Sequence, residues 1–414
     1  SIDNWELFAL GNRNEMKKLY PNKARTQIIN YFGFSGLVDI RYLFLLYLFA
    51  KKAAALESPM FRPAVSPSLK LRVVSYNVLS SHLATTSQYP TLNPDHLTRE
   101  NRLPVVLEKL QEEISGNNKR VVICLQEVSY DWAGELHTFF ANQGYHLVTG
   151  LYGRPFNGYM GVALAYPTSL FDTVEVDISR LADTRQEKWP ETPRKNFLEN
   201  MITGVQSYFD ELLKKGGDKA PPDHWSLSKS RFNVLLTAAL KDKESGQMFC
   251  IGTYHMPCAY YCPMAMSIHA DLAARQVQFI SSKYEAPAVL AGDFNIKPNE
   301  PVYELLTTGK LDPDSAFYPS PKGGVVWKPT ICQAMKSAYA SYSGKEPDFT
   351  NYARTKEDEP FIDTLDYIFL TPEWNVENVL ELPHRDKANG PFPNLDAKEP
   401  SDHILIAADI VLPK

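Results

Sequence analysis

Eight short apolar runs recur from Leu71 onward: "LRVVSYNVL", "RVVICLQEV", "MGVALAYP", "FNVLLTAAL", "MFCIGTYHM", "PAVLAGDFN", "TLDYIFL" and "HILIAADIVL". Each has strand length and is apolar at nearly every position rather than every second one. That texture belongs to strands covered on both faces. Helical patterns lie between the runs. "LPVVLEKLQEEI" puts Leu103, Val106, Leu107, Leu110 and Ile114 on one face, and "SIHADLAARQVQFISSK" carries a second apolar stripe with Ser267 as its N-cap. Strands interleaved with helices predict one large α/β (α+β) domain over residues 66–414, built on buried sheets.

Two stretches depart from this texture. Residues 1–65 read as an extension that ends in the proline-bearing linker "ESPMFRPAVSPS", Glu57–Ser68. Its most apolar segment, "YLFLLYLFA" at Tyr42–Ala50, lies between Arg41 and Lys51 and is too short to cross a bilayer. It suits a helix that docks on the body or on a protein partner, with membrane-surface contact as the second use. The other stretch, about 183–229, is polar and holds the helix-like "NFLENMITGVQSYFDELLKK"; it reads as an insertion between core strands.

The chain is 44% hydrophobic and 22% charged, an ordinary globular balance. Its net charge of −5 is uneven: residues 1–70 hold ten Lys/Arg against five Asp/Glu. The acidic remainder excludes a general basic coat for long duplexes, though not a local anion grip. Five cysteines in 414 residues fit a reducing compartment. The expected location is intracellular, in the cytoplasm or, if a targeting peptide preceded Ser1, the mitochondrion. His255, Cys258, Cys262 and His269 form a string whose spacing matches no standard zinc pattern; two half-buried thiols beside a loop is the plainer reading.

The polar residues that end the apolar runs carry the chemistry. Asn77 follows "VVSY", Glu127 follows "VVICLQ", His255 follows "CIGTY", and Asp293 and Asn295 follow "VLAG". Asp366 sits in "TLDYIF", and Asp402 and His403 precede "ILIAADI". In an extended chain Asp293 and Asn295 would share a face. One such residue is ordinarily a cap or turn residue. Together they suit an oxygen-rich site for a hard divalent ion flanked by phosphate donors, since ligands collect at strand ends in α/β folds. The matching chemistry is metal-assisted phosphoester cleavage with Mg2+, or Mn2+ in its place.

"SYNVLS", "LQEV", "TYH", "GDFN", "LDYIF" and "SDH", in that order, resemble the endonuclease/exonuclease/phosphatase superfamily over Leu71–Leu412. "PVYELLTTGKL" and "FTNY" narrow the resemblance to the deadenylase-like branch, with its nocturnin-like, Angel-like and 2′-phosphodiesterase-like members. The resemblance implies a two-sheet, four-layer sandwich with helices outside and a site at one sheet edge. It implies Glu127 as main Mg2+ ligand, supported by Asn77 and Asp402. Asp293 would orient or activate water, Asn295 would hold the scissile phosphate, and His403 and His255 would contact phosphoryl oxygens. Asp366 would orient a catalytic partner or bind a second metal.

On the substrate side, Asn157 and Tyr159 would line the mouth, and Phe349 and Tyr352 would stack on bases. The branch's "DGC"-like element is replaced here by "FNGYMGVALAYP", so a poly(A) preference is not implied. The "CDR"-type element of inositol-phosphate phosphatases is absent as well. Plain structural readings stand beside these: Phe349 and Tyr352 as aromatic core, His269 as a helix-surface residue, His384 as a loop residue, and Trp189, Trp225 and Trp327 as packing. The expected activity is a 3′ exoribonuclease on single-stranded RNA. The alternatives are a phosphatase or phosphodiesterase on a small nucleotide or phospholipid headgroup, and a structural subunit of a larger assembly that keeps the fold.

Overall fold

The computed structural model describes residues 68–116, 120–152, 159–191, 223–355 and 359–413. The extension 1–65, Asn157 and the helix-like stretch 196–215 lie outside them.

Two six-stranded mixed sheets face each other. The first has the order β13-β14-β1-β2-β4-β3. Its strands are β1 (Leu69–Asn77), β2 (Val121–Ser129), β3 (Tyr145–Tyr152), β4 (Met160–Pro167), β13 (Asn375–Val379) and β14 (Ile406–Leu412). The second has the order β5-β6-β7-β8-β12-β9. It is built from β5 (Phe171–Arg180), β6 (Val234–Asp242), β7 (Met248–His255), β8 (Ala288–Asp293), β9 (Lys336–Ser337) and β12 (Asp366–Leu370). A separate hairpin pairs β10 (Asn351–Ala353) with β11 (Phe361–Asp363).

Between the sheets lies a core of alternate strand residues, among them Leu71 and Val73, Cys124, Leu236, Ile251, Val289 and Ala291, Ile368, and Ile406. The opposite positions face helices. Val74, Ile123 and Leu125 pack under α1 (Arg99–Ser115) and α2 (Ala133–Asn142). Cys250, Leu290 and Phe369 pack under α4 (Pro263–Lys283) and α5 (Pro301–Thr308). Every central strand is therefore buried on both faces, which is why those strands read as continuous apolar runs. The result is the four-layer sandwich. Two shorter helices, α3 (His224–Ser230) and α6 (Ala338–Ser343), complete the described elements longer than a single 3-10 turn. Among the described residues no helix is long and apolar enough to cross a membrane.

Two expectations about α4 need correction. The helix begins a turn before Ser267, with Pro263 in its first turn. Proline fits there because it lacks the N–H that a first-turn residue leaves unused. Ser267 is buried inside the helix and donates to the Phe317 carbonyl at 2.8 Å. His269 is not on the surface: it is 1% exposed, bonded to the Tyr254 hydroxyl (2.8 Å) and the Ser228 carbonyl (3.1 Å). Burial pulls its pKa down to about 4. These contacts remove it from any zinc site with His255, Cys258 and Cys262; of that pair of thiols, Cys262 is buried and Cys258 exposed. Trp225 and Trp327 are core residues, and Trp189 packs against the same cluster. The described flanks of the polar insertion link β5 to β6, with Leu181 and Trp225 seated in the core under α4.

Candidate active site

The alternation that builds the inter-sheet core continues past its apolar end. On β1 the inward positions run Leu71, Val73, Ser75, Asn77; on β7 Ile251, Thr253, His255; on β8 Val289, Ala291, Asp293. On β12, read backward, they run Leu370, Ile368, Asp366. Parallel pairing sets His255 beside Asp293, and antiparallel pairing sets Asp366 beside Asp293. Four polar side chains thus close one end of an otherwise apolar core, and period-two geometry puts them there.

Glu127 arrives differently. Strict alternation along β2 would turn it outward, since Leu125 faces the helices and Gln126 faces Thr253 across the core. A bulge between Leu125 and Val128 absorbs one residue, and Glu127 takes φ 56°. Its carboxylate swings into the site, where Oε1 accepts from Asn77 Nδ2 (3.2 Å) and Oε2 from the Ser80 N–H (2.9 Å). A non-glycine residue in the left-handed region costs about 1 kcal/mol or more, and bulges that re-aim a side chain cluster at functional sites.

Asp293 is the hub, 1% exposed. Its Oδ2 accepts from Asn77 Nδ2 at 3.0 Å and lies 3.5 Å from His255 Nε2 and 3.6 Å from His403 Nε2. Burial pushes the Asp293 carboxyl up to about 6 against the pull of both imidazoles, with Asp366 adding to the rise. His403 donates through Nδ1 to Asp366 Oδ2 at 2.7 Å, and Thr350 donates to the same oxygen at 2.6 Å. Burial alone would lower His403, but Asp366 and Asp293 outweigh it and hold the imidazole well above its usual value. His255 Nδ1 meets the Tyr152 hydroxyl at 2.8 Å, which aims Nε2 at Asp293. Asp402 Oδ2 accepts from the Tyr89 hydroxyl at 2.8 Å, and Ser401 bonds the Asn77 carbonyl at 2.7 Å.

These groups floor a cavity of about 990 Å³ lined by Glu127, His255, Asp293, Asn295, Asp402 and His403. Asn77 and Asp366 stand directly behind that lining, bonded to Asp293 and His403. Asn295 does not continue the extended face of Asp293. The chain turns at once, Asn295 at φ 51° donating its N–H to Asp293 Oδ1 (2.9 Å) and its amide to the Met256 carbonyl (2.9 Å). A primary amide has a second N–H, which leaves Asn295 a donor for the cavity.

The donor set fits a hard divalent cation. Asp293, Asp366 and Asp402 surround the held His403 imidazolium, and Glu127 and Asp402 lie near the buried Arg102 guanidinium, four carboxyl groups against two cations. Asp366 Oδ1 is buried with no hydrogen-bond partner among the described residues. Ligand atoms of Asp293, Asp366 and His403 lie within 4.8 Å of one another. His403 and Asp366 spend their closest atoms on each other, and of the carboxylates lining the cavity Glu127 and Asp402 could offer oxygens to a cation. Both are oriented by donors behind them, Ser80 and Asn77 for one and Tyr89 for the other.

On the substrate side, Tyr159 lines the cavity with its ring 5.4 Å from His82. Phe349 cannot stack on a base: it is fully buried between Phe392 and Ile404. Tyr352 is half-buried against Phe392, and a Cβ on Gly390 would sit 2.3 Å from its ring. Neither ring belongs to the cavity lining. Phe361 does line the cavity: it is 38% exposed on the wall, with Lys297 Nζ 5.1 Å from its ring centroid. Sequence reasoning passed over it; an apolar residue in a polar run, five before Asp366, was the available signal.

The family model for Endonuclease/Exonuclease/phosphatase proteins matches residues 74–403. The chain is 24% identical over 359 residues to nocturnin of Drosophila melanogaster, covering 83% of this chain and 47% of the relative. It is 24% identical over 394 residues to the CCR4-Not complex 3'-5'-exoribonuclease subunit Ccr4 of Neurospora crassa, covering 84% and 46%. To 2',5'-phosphodiesterase 12 of Homo sapiens it is 24% identical over 370 residues, covering 85% and 53%. The chain spans about half the length of these curated relatives. Among solved structures, ANGEL2, a 2',3'-cyclic phosphatase in complex with adenosine-2',3'-vanadate, has the same fold at TM-score 0.60 and 19% identity, over 83% of this chain and 96% of that one. The human Nocturnin catalytic domain with bound sulfate matches at TM-score 0.51 and 20% identity, over the same shares. With the family model covering most of its length and the sandwich shared with these structures, the chain belongs to the endonuclease/exonuclease/phosphatase family of hydrolases.

Proposed function

We propose that this protein is a divalent-metal-dependent phosphodiester hydrolase that cuts single-stranded RNA from its 3′ end. The observation that carries the reading is the ring of donors around Asp293 Oδ2, at 3.0, 3.5 and 3.6 Å, on the floor of a cavity walled by Glu127 and Asp402. Glu127, with Asn77 and Asp402, would hold Mg2+, which supplies charge neutralisation at a phosphoryl oxygen and at the leaving oxygen. Asp293 takes a proton from water as the new O–P bond forms; a carboxyl near neutrality is suited to that exchange. His403, held protonated by Asp366, donates Nε2–H to a non-bridging oxygen as charge builds there. Asn295 and His255 fix the remaining phosphoryl oxygens. The bond between phosphorus and the 3′ oxygen breaks, solvent protonates that oxygen, and a nucleoside 5′-monophosphate departs. A relative named as a 3'-5'-exoribonuclease subunit supports RNA as substrate and the 3′ end as the point of attack, and one named as a 2',5'-phosphodiesterase supports phosphodiester hydrolysis.

The test is a substrate panel with and without Mg2+, on wild type and on Glu127→Gln. Unstructured RNA shortened from its 3′ end by wild type alone is the expected result. Turnover confined to mononucleotides, cyclic phosphates or inositol phosphates would replace RNA with a small-molecule substrate. Full Mg2+-dependent turnover by Glu127→Gln would remove the metal assignment.

A further inference from the structure

Deepening the RNA-hydrolase reading and resting on it, we propose that Phe232 and Tyr260 form a second base-stacking platform, on the side of the scissile phosphate opposite Phe361. The site would then hold a nucleotide on each side of the bond it cuts. Such a site selects a single-stranded RNA chain over a mononucleotide.

Large apolar side chains in open solvent are usually scattered; a cluster at a cavity mouth points to a ligand. Phe232 is 44% exposed and Tyr260 is 79% exposed, and both line the cavity that Asp293 floors. Sheet order fixes where they stand. Phe232 lies just before β6, and Tyr260 follows the end of β7. Phe361 opens β11, the hairpin strand that precedes β12. Because β6 runs antiparallel to β7, and β12 antiparallel to β8, all three rings emerge at the sheet end that carries Asp293. In the order β6-β7-β8-β12, the segment that carries Phe232 enters β6 on one side of β8, and the hairpin that carries Phe361 precedes β12 on the other.

The wall carrying Phe232 and Tyr260 is fixed rather than loose. Arg180 donates to the Arg231 carbonyl at 2.9 Å and sets its guanidinium 5.3 Å from the Phe232 ring, supporting one face. Asn233 donates to the His255 carbonyl at 2.7 Å, so this loop is tied to a residue of the site. Arg231 donates to the Tyr261 hydroxyl at 2.7 Å, and Tyr261 meets Tyr260 edge-on at 5.7 Å. The wall thus offers rings for bases and, from Arg231 on the cavity side, positive charge for a phosphate, within an otherwise acidic chain. Stacking with adjacent cations is how single strands are held without a basic coat.

Binding, not turnover, tests this. Fluorescence anisotropy of an end-labelled eight-nucleotide unstructured RNA is measured in the full chain carrying Glu127→Gln, with adenosine monophosphate as competitor. Phe232→Leu and Tyr260→Leu should each weaken the oligonucleotide about tenfold, within the range for loss of one stacked base. The monophosphate should shift far less. Phe232→Trp and Tyr260→Phe keep a ring and should restore binding, which separates stacking from a folding defect. Oligonucleotide affinity unchanged by the leucine variants would overturn the proposal, as would an eight-mer that binds no better than the monophosphate. The binding arm reads the platform whether or not cleavage occurs; absence of Mg2+-stimulated RNA cleavage by wild type counts against the hydrolase reading alone.

Discussion

In the proposed reaction Asp293 has to take a proton, yet it is 1% exposed and its charge is poorly solvated. The Asn77 amide on one oxygen and the Asn295 N–H on the other, with the two imidazoles 3.5 and 3.6 Å away, offset only part of that loss, and the carboxyl stays raised to about 6. Asp293→Asn keeps the shape and removes the base, so turnover should fall about 10²- to 10⁴-fold with little change in KM. A loss confined to KM would reassign it to binding. His269, which is not part of the cavity lining, supplies a second test. Neutral His269 satisfies both neighbours, donating to the Ser228 carbonyl and accepting from Tyr254. Its pKa is lowered to about 4 in the fold against about 6.5 unfolded, so the unfolded chain binds more protons between those values. Stability from this group is present above pH 6.5 and is lost as pH falls toward 4, by roughly 1.4 kcal/mol per unit. Relative to wild type, His269→Gln should be less stable at pH 7, with the gap narrowing toward pH 4.5 in urea melts. A gap constant with pH would show that His269 is not held neutral. At this scale the sequence is legible where alternation holds. Asn77, His255, Asp293 and Asp366 follow from period two, whereas Glu127 enters the site only through its bulge, which a motif reveals and a pattern does not. His269 and Phe349 look exposed or functional in one dimension because the elements that cover them are remote in the chain.

At the scale of elements, legibility follows burial. The eight apolar runs are eight strands: β1, β2, β4, β6, β7, β8, β12 and β14. They are the interior strands of the two sheets, and the four strands missed there, β13, β3, β5 and β9, are the four edges. An edge strand faces water along one side and carries polar residues, as in "FDTVEVDISR" of β5, so its signal sinks into that of the loops. Helix α1 acts through one residue. Arg102, fully buried over the Trp132 ring, donates to the carbonyls of Val78 (2.5 Å) and Leu79 (2.6 Å) and of Pro400 (2.5 Å). It ties the segment after Asn77 to the segment before Asp402 and His403, two chain regions that share the site. Burial lowers its pKa to about 10, which leaves it charged at neutral pH. Lysine has one donor group and cannot span both segments as the guanidinium fork does. Arg102→Lys should cost about 2–4 kcal/mol in urea unfolding, the range for breaking a buried polar network, and should raise the Mg2+ concentration needed for half-maximal turnover. Stability lost with an unchanged Mg2+ requirement would make Arg102 structural only.

At the scale of the molecule, the site belongs to the sandwich as a whole, because its floor is the open end of the core between two sheets. Asn77 and Glu127 come from one sheet, His255, Asp293 and Asp366 from the other, and Asp402 and His403 from the segment that leads into β14. Neither sheet alone could assemble it. Every residue placed in the site lies between Asn77 and His403, and the sheets that carry them start at Leu69 and end at Leu412. We propose residues 66–414 as one catalytic domain and 1–65 as an extension whose use is contact with a protein partner. A chain truncated to 66–414 should therefore melt cooperatively and keep Mg2+-stimulated hydrolysis within about twofold of the full chain, as expected when a separate domain is released at its linker. Retained folding with hydrolysis reduced more than about tenfold would give residues 1–65 a direct part in catalysis or substrate binding and would redraw the domain boundary.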